Sequence, residues 1–110
     1  MGYTITVVFP NDVDAKYDLD YYTARHMTLI EKHWTKYGLK GWSVTKYIPG
    51  LDGTNPLYAF GSQVFWESEE AMKKAFEGPE VAEIMADVPH FSNKPPIFLV
   101  GQTIKPAFDL

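Results

Sequence analysis

Residues 18–34 read DLDYYTARHMTLIEKHW, and this stretch has the spacing of an amphipathic helix. At about 100° per residue, one face collects the apolar side chains together with two histidines. Its members are Leu19, Tyr22, His26, Leu29, Ile30, His33 and Trp34. The opposite face carries polar and charged residues between Arg25 and Lys36. We therefore expect the apolar face to point inward, with Asp18 as the N-cap and Gly38 at the C-terminal end.

The two inward histidines need hydrogen-bond partners, because an unpaired buried polar group destabilises a fold. His26 follows Tyr22 by one helical turn, so the imidazole and the phenol point into the same space. Histidine titrates near neutral pH and a phenol can stabilise an oxyanion, which makes the two side chains candidate catalytic groups. The spacing equally fits a His26 that only binds a backbone carbonyl in the core. We interpret His33 as structural, because the helix dipole favours a cationic imidazole near the C-terminus.

Outside this helix, the pattern predicts four strands and a second helix. The strands cover residues 3–9, 42–47, 58–66 and 97–104, which are rich in β-branched and aromatic residues. Ser68 is the predicted N-cap of the second helix, and Pro79 follows a break at Gly78 and begins a short continuation. The order is β-α-β-β-α-β. This order predicts an α+β, ferredoxin-like domain with a four-stranded antiparallel sheet.

The predicted sheet indicates that the protein packs against another protein chain, because two helices can cover only one of its two faces. Along the last strand, Phe98, Val100 and Ile104 point to one side, while Ile97 and Leu99 point to the other. An apolar face that no helix covers favours face-to-face packing against a second copy. We expect a homodimer formed through the sheet face.

Composition narrows the class of protein. The 110 residues predict a single domain spanning 1–110. The net charge is −4 without a basic run, which argues against binding to nucleic acid or to an anionic membrane. The sequence has no cysteine, so disulfides and thiolate chemistry are excluded. It shows neither a leader peptide nor an apolar run long enough to span a membrane, and we expect a cytoplasmic protein.

Known cofactor and metal motifs are absent from the sequence. His26 and His33 are seven residues apart, about 10 Å along a helix, which is too far for both to bind one metal ion. P-loop, dinucleotide and nucleophile-elbow motifs do not occur either. We therefore predict no metal and no cofactor. Haem bound through a single histidine stays open, because one axial imidazole leaves no spacing signature.

Several aromatic residues are candidates for the wall of a hydrophobic ligand pocket. They include Trp34, Trp66 and Phe76, although aromatic residues at helical or strand spacing are more often ordinary core. Asp87 precedes Val88 and Pro89 in a predicted loop, where a carboxylate is usually solvated or caps a turn.

Short segments along nearly the whole chain together resemble the EthD-like proteins. They are Tyr21-Tyr22, Arg25-His26-Met27 and Leu29, then Phe65-Trp66-Glu67-Ser68, Pro79-Glu80, and Asp87-Val88-Pro89 with Phe91. The resemblance implies a dimeric α/β barrel with a pocket between each sheet and its helices. It places the family histidine at His26 and the family tyrosines at Tyr21 and Tyr22. On the basis of the resemblance, the residues predicted to line the ligand pocket also include Tyr21, Leu29 and Asp87. Thr28 stands where the family usually has proline.

Two functions fit these features. The resemblance implies relatives that include cofactor-independent monooxygenases, polyketide cyclases and lactone isomerases. In the first hypothesis, the protein is a cofactor-independent enzyme acting on a small hydrophobic, aromatic or polyketide-like compound. His26 transfers a proton while Tyr22 or a backbone amide stabilises an enolate or phenolate, in an oxygenation, cyclisation, decarboxylation or isomerisation. In the second, the pocket belongs to a non-catalytic ligand-binding or accessory protein of a degradation or biosynthetic pathway.

Overall fold

A four-stranded antiparallel sheet forms the base of the molecule in the computed structural model, which describes residues 2–107. Its strands are β1 (Tyr3–Pro10), β2 (Leu39–Lys46), β3 (Tyr58–Trp66) and β4 (Ile97–Gln102). They lie in the order β2-β3-β1-β4. The predicted domain of residues 1–110 includes Met1 and residues 108–110, which lie outside the described residues.

Two strand boundaries differ from the prediction by more than one residue. β2 begins at Leu39 instead of residue 42, and its pairing with β3 shifts register between Leu39 and Gly41. Such a bulge interrupts the alternation of side chains, which explains why the pattern missed the start of this strand. β4 ends at Gln102 instead of residue 104, although the Thr103 N–H still donates to the Gly2 carbonyl at 2.8 Å.

The first helical region has four parts. They are α1 (Leu19–Tyr21), a π-helical turn (Tyr22–His26), α2 (Met27–Trp34) and a 3₁₀ turn (Thr35–Tyr37). As predicted, the Asp18 carboxylate accepts the Tyr21 N–H at the N-terminus, at 3.0 Å. The region ends at Gly38, whose φ of 114° lies in the left-handed range that favours glycine.

The π-helical turn is a departure from the predicted continuous α-helix. The Met27 N–H donates to the Tyr22 carbonyl, five residues back instead of four. The extra residue rotates α2 around the helix axis relative to a regular continuation. Met27, which the regular spacing did not place on the inward face, is therefore 0% exposed, while Leu29 is only partly buried. The π-helical turn ends two residues before Thr28, which stands where the resemblance to the EthD-like proteins places a proline. The irregularity therefore forms in this chain without a proline at that position.

The second helical region consists of two short helices and a turn. They are α3 (Glu69–Glu77), α4 (Glu80–Ala86) and a 3₁₀ turn (Val88–His90) within the predicted loop. The Ser68 hydroxyl accepts the Ala71 N–H at 3.0 Å, which confirms its predicted role as N-cap. Pro79 is the N-cap of α4 instead of its first residue.

The helices pack on one face of the sheet, and the core lies between the two layers. Among its largest buried side chains are Trp66, Tyr22, Phe9, Phe60, Met27 and Val64. The predicted α+β, ferredoxin-like fold is confirmed. No helix within residues 2–107 has the length and apolar character needed to cross a membrane.

The other face of the sheet is mixed in character. The register places Thr4 and Thr6 of β1 on this face, with Gln63 opposite Thr6 on β3. Leu99 of β4 pairs with Thr6 from the other side and is 56% exposed, and Ile97 beside it is also exposed. The uncovered face thus has a polar centre and an apolar margin along β4.

Candidate functional site

A narrow cavity lies between the helices and the covered face of the sheet. Its volume is about 30 Å³, enough for about two water molecules. Its walls are mainly aliphatic and aromatic, and His26, Tyr22 and Ser62 bring polar groups to them. No lysine, arginine, aspartate or glutamate lines the cavity in the part of the chain that the structure describes. A site with this lining suits an uncharged ligand.

His26 is held from outside the cavity by Asp87. The imidazole Nδ1 lies 2.9 Å from Asp87 Oδ2, and Tyr21 donates its hydroxyl to Asp87 Oδ1 at 2.6 Å. The local fold places each partner: Tyr21 ends α1, His26 ends the π-helical turn, and Asp87 follows α4. Asp87 is anchored in turn by its own N–H, which donates to the carbonyls of Glu83 and Ile84.

The charge state of Asp87 determines which nitrogen of His26 carries the proton. Burial tends to raise the pKa of the Asp87 carboxyl, but hydrogen bonds from Tyr21 and His26 outweigh it and hold that pKa below its usual range. The carboxylate is an acceptor, so the geometry assigns the proton of the neutral imidazole to Nδ1. Nε2 makes no hydrogen bond within residues 2–107, and the His26 side chain lines the cavity.

The protonation equilibrium of His26 favours the neutral base. Burial lowers the pKa of the imidazole, and the hydrogen bond and charge of Asp87 only partly oppose that effect. The side chain is buried, with its ring packed 4.6 Å from the Phe91 ring, centroid to centroid. A neutral imidazole with a free Nε2 lone pair can accept a proton from a bound molecule.

Tyr22 and Ser62 form a buried hydroxyl pair beside this base. Their oxygens are 2.7 Å apart, and the Tyr22 ring stacks on His26 with centroids 5.4 Å apart. Burial raises the pKa of Tyr22 to about 12, against a smaller opposing effect of the hydrogen bond to Ser62. The phenol therefore keeps its proton at neutral pH and is a hydrogen-bond donor. That state matches the predicted role of stabilising an oxyanion.

The predicted site residues fall into three locations. His26, Tyr22, Trp34 and Phe76 line the cavity. Tyr21, Leu29 and Asp87, predicted as pocket residues, instead line a separate open groove on the outer surface. The same groove contains Arg25, Glu83, Ala86 and His90. Trp66 is also not part of the cavity wall: it is fully buried behind Trp34, with ring centroids 5.3 Å apart.

These differences have simple physical causes. The π-helical turn moves Leu29 out of the inward face, and Tyr21 precedes the inward Tyr22 and so points elsewhere. His33, the second inward histidine of the prediction, lies away from the cavity. Its Nε2 is 2.8 Å from Glu83 Oε2, and this contact links α2 to α4.

Ser62 and the contact between Asp87 and His26 were not predicted from the sequence. Ser62 had a usable signal: it is a polar residue on the inward side of β3, between the apolar Phe60 and Val64. The partnership of His26 and Asp87 had none, because the two residues are 61 positions apart. No cluster of three or more His, Asp or Glu residues that could hold a metal ion occurs within residues 2–107.

Comparison with proteins of known structure agrees with this architecture. An EthD-like protein from Ralstonia eutropha JMP134 superposes with a TM-score of 0.85 and 21% identity, covering 94% of this chain and 93% of its own. The chain has the fold of the EthD-like proteins. The resemblance seen in the sequence is thereby confirmed at the level of fold.

Two more distant structures share the ferredoxin-like fold. One is a dimeric ferredoxin-like protein from Jannaschia sp. CCS1, with a TM-score of 0.63, 11% identity, and coverage of 93% of this chain and 98% of its own. The other is SnoaB, a cofactor-independent oxygenase from Streptomyces nogalater, with a TM-score of 0.57, 9% identity, and coverage of 96% and 97%. No protein-family model matches the sequence, and no curated protein does.

Proposed function

We propose that this protein is a cofactor-independent enzyme that transfers a proton to or from a small, neutral, hydrophobic or aromatic compound. The observation that carries the proposal is the pairing of His26 with Asp87, which leaves the second imidazole nitrogen without a hydrogen bond in a residue that lines a mainly apolar cavity. A neutral imidazole held in this way is well suited to general base catalysis. The fold it shares with the oxygenase SnoaB supports the same class of chemistry.

The chemical step follows from the geometry. His26 Nε2 takes a proton from an acidic O–H or C–H bond of the ligand, whose electron pair stays on the ligand as a phenolate or enolate. The imidazolium that forms is stabilised by the carboxylate of Asp87, and the hydroxyl pair of Tyr22 and Ser62 donates to the new oxyanion. An anion of this type is the common starting point for oxygenation, cyclisation and isomerisation, whereas decarboxylation would need a carboxylate substrate, which the uncharged cavity disfavours.

The lining restricts the ligand. Because no lysine, arginine, aspartate or glutamate among the described residues faces the cavity and His26 is neutral, an ionic substrate would be desolvated without compensation. The cavity of about 30 Å³ is smaller than an aromatic ring, so the bound state requires movement of wall residues. Met85 is suited to move, because it is unbranched, partly exposed and part of the wall.

Deuterium exchange tests the proposal without knowledge of the natural substrate. A panel of small aromatic ketones and cyclic 1,3-diketones is incubated with the protein in D₂O, and uptake at the acidic carbon is measured by mass spectrometry. We expect at least one compound to exchange faster than in buffer. We expect His26→Gln to reduce that excess by about 10²–10⁴-fold, because it removes the general base.

His33→Gln is the matched control, since His33 pairs with Glu83 and does not line the cavity. It should exchange as the wild type does. Exchange that survives His26→Gln would contradict the assigned base. Compounds that bind tightly but never exchange would instead identify a ligand-binding protein without catalysis.

We further propose that the protein is a homodimer formed through the uncovered face of the sheet. The exposed Ile97 and Leu99 supply an apolar margin, and the Jannaschia structure is described as dimeric. We expect sedimentation at micromolar concentration to give a dimer, and Leu99→Lys to give a monomer, because the lysine charge would be buried. Val13→Lys, at a fully exposed loop position, should remain dimeric. A monomeric wild type would rule the dimer out.

A further inference from the structure

Two buried indole N–H groups, those of Trp34 and Trp66, have no hydrogen-bond partner within residues 2–107. Buried indole nitrogens usually find an acceptor, because an unpaired donor loses its bond to water without replacement. The less buried Trp42 follows this rule, since its Nε1 donates to a carboxylate oxygen of Glu31 at 3.3 Å. The two unpaired donors therefore need a specific explanation.

The two tryptophans differ in their position relative to the cavity. Trp34 lines the cavity and packs against Phe76, with ring centroids 4.9 Å apart. Trp66 is not part of the wall. The donor of Trp34 thus belongs to a residue of the mainly apolar wall that also contains His26, Tyr22 and Ser62, and in such walls a few polar groups commonly fix the orientation of a ligand.

We propose that Trp34 is a specificity-determining residue whose indole N–H binds an uncharged oxygen of the ligand. This inference rests on the proposed function, because it assigns the second polar contact of the ligand that His26 deprotonates. A site built to donate this hydrogen bond discriminates against analogues that lack the acceptor, since they leave the N–H unpaired.

The helix sets the spacing of the two contacts. His26 and Trp34 are eight residues apart, so their Cα atoms are separated by about 12 Å. Side chains on a helix lean in the same direction, which roughly preserves this separation at their tips. Two hydrogen bonds of about 3 Å each then leave about 6 Å between the polar atoms of the ligand. This is close to the span of one aromatic ring with polar substituents at opposite ends.

Two probe compounds of nearly equal size isolate the contact. 4-Hydroxyacetophenone carries a phenol opposite a carbonyl, and 4-ethylphenol has a methylene in place of that carbonyl. Binding is measured by calorimetry at a slightly acid pH, where both phenols are uncharged. We expect Trp34→Phe, which keeps an aromatic ring and deletes the donor, to weaken binding of the ketone about tenfold. Binding of 4-ethylphenol should not weaken.

Trp66→Phe is the matched control, because it deletes an equally unpaired and buried donor outside the cavity. It should leave the affinity for both probes unchanged. A measurement on the wild type does not depend on the folding of any variant: the indole N–H resonance of Trp34 should move downfield with the ketone and stay in place with 4-ethylphenol.

The outcomes separate this inference from the proposed function. If both probes bind but Trp34→Phe has no selective effect and the Trp34 resonance does not move, the inference is overturned and proton transfer by His26 stands. An equal loss in Trp66→Phe also overturns it. If neither probe binds, the inference is overturned, and deuterium exchange decides separately whether His26 transfers protons.

Discussion

Replacing Asp87 by asparagine is expected to reverse the tautomer of His26 and to reduce proton abstraction by about 10²–10⁴-fold. The hydroxyl of Tyr21 donates to Asp87 Oδ1, so it selects the amide orientation in which the asparagine oxygen faces Tyr21. The amide nitrogen then faces His26 and donates to Nδ1, which the carboxylate of Asp87 contacts at 2.9 Å. The proton of the neutral imidazole moves to Nε2. The cavity thereby loses its base although no atom of His26 has changed.

Two measurements detect this change. Long-range ¹H–¹⁵N spectra distinguish the two tautomers directly, and deuterium exchange reports the loss of base strength. The same spectra recorded against pH should show the pKa of His26 below its wild-type value, because the charge of Asp87 raises that pKa in the native protein. Loss of the Asp87 charge should therefore move the pKa of His26 further towards acid pH.

Glu83→Gln provides the comparison, because Glu83 pairs with His33 as Asp87 pairs with His26, at 2.8 Å. His33 does not line the cavity, so this variant should leave deuterium exchange unaffected. If Asp87→Asn keeps the proton on Nδ1 and exchanges at the wild-type rate, Asp87 does not control the base.

The control of His26 by Asp87 is a feature of the site that could not be predicted from the sequence. Strands, caps and helix breaks depend on neighbouring residues, and they were predicted closely: Asp18 and Ser68 are N-caps, and Gly38 ends its helical region. The contact between His26 and Asp87 depends on how α4 packs across the molecule. A single sequence contains no local pattern for such a contact.

The π-helical turn accounts for the errors within the first helical region. Apolar spacing assumes 3.6 residues per turn, and one extra residue is enough to exchange Leu29 for Met27 on the buried face. His26 is the last residue of that irregular turn, and its side chain is buried as the regular spacing predicted. Irregular turns of this kind are frequent at functional sites, which agrees with its place beside the cavity.

Phe9→Ala is expected to lower the free energy of unfolding by about 3–5 kcal/mol, a large part of the stability of a small domain. Phe9 is 1% exposed and stacks on Phe60 with ring centroids 4.6 Å apart. Tyr17, Tyr22 and Phe91 contact it edge-on at 5.6–5.8 Å. Phe9 also lines the cavity, so truncation leaves a void that joins it, and aromatic neighbours held by three separate segments cannot collapse into that space. Urea unfolding followed by circular dichroism measures the loss.

Phe98→Ala removes the same side chain from the neighbouring strand β4, where it is 41% exposed. Solvent already reaches that ring and fills its space after truncation, so the destabilisation should be clearly smaller than at Phe9. Equal losses at the two positions would mean that the aromatic cluster around Phe9 is no better packed than Phe98 on the edge strand β4.

The aromatic cluster also supports the catalytic base, since Tyr22 and Phe91 pack against both Phe9 and the His26 ring. Phe9→Ala should therefore loosen His26 and lower deuterium exchange even under conditions where the variant remains folded.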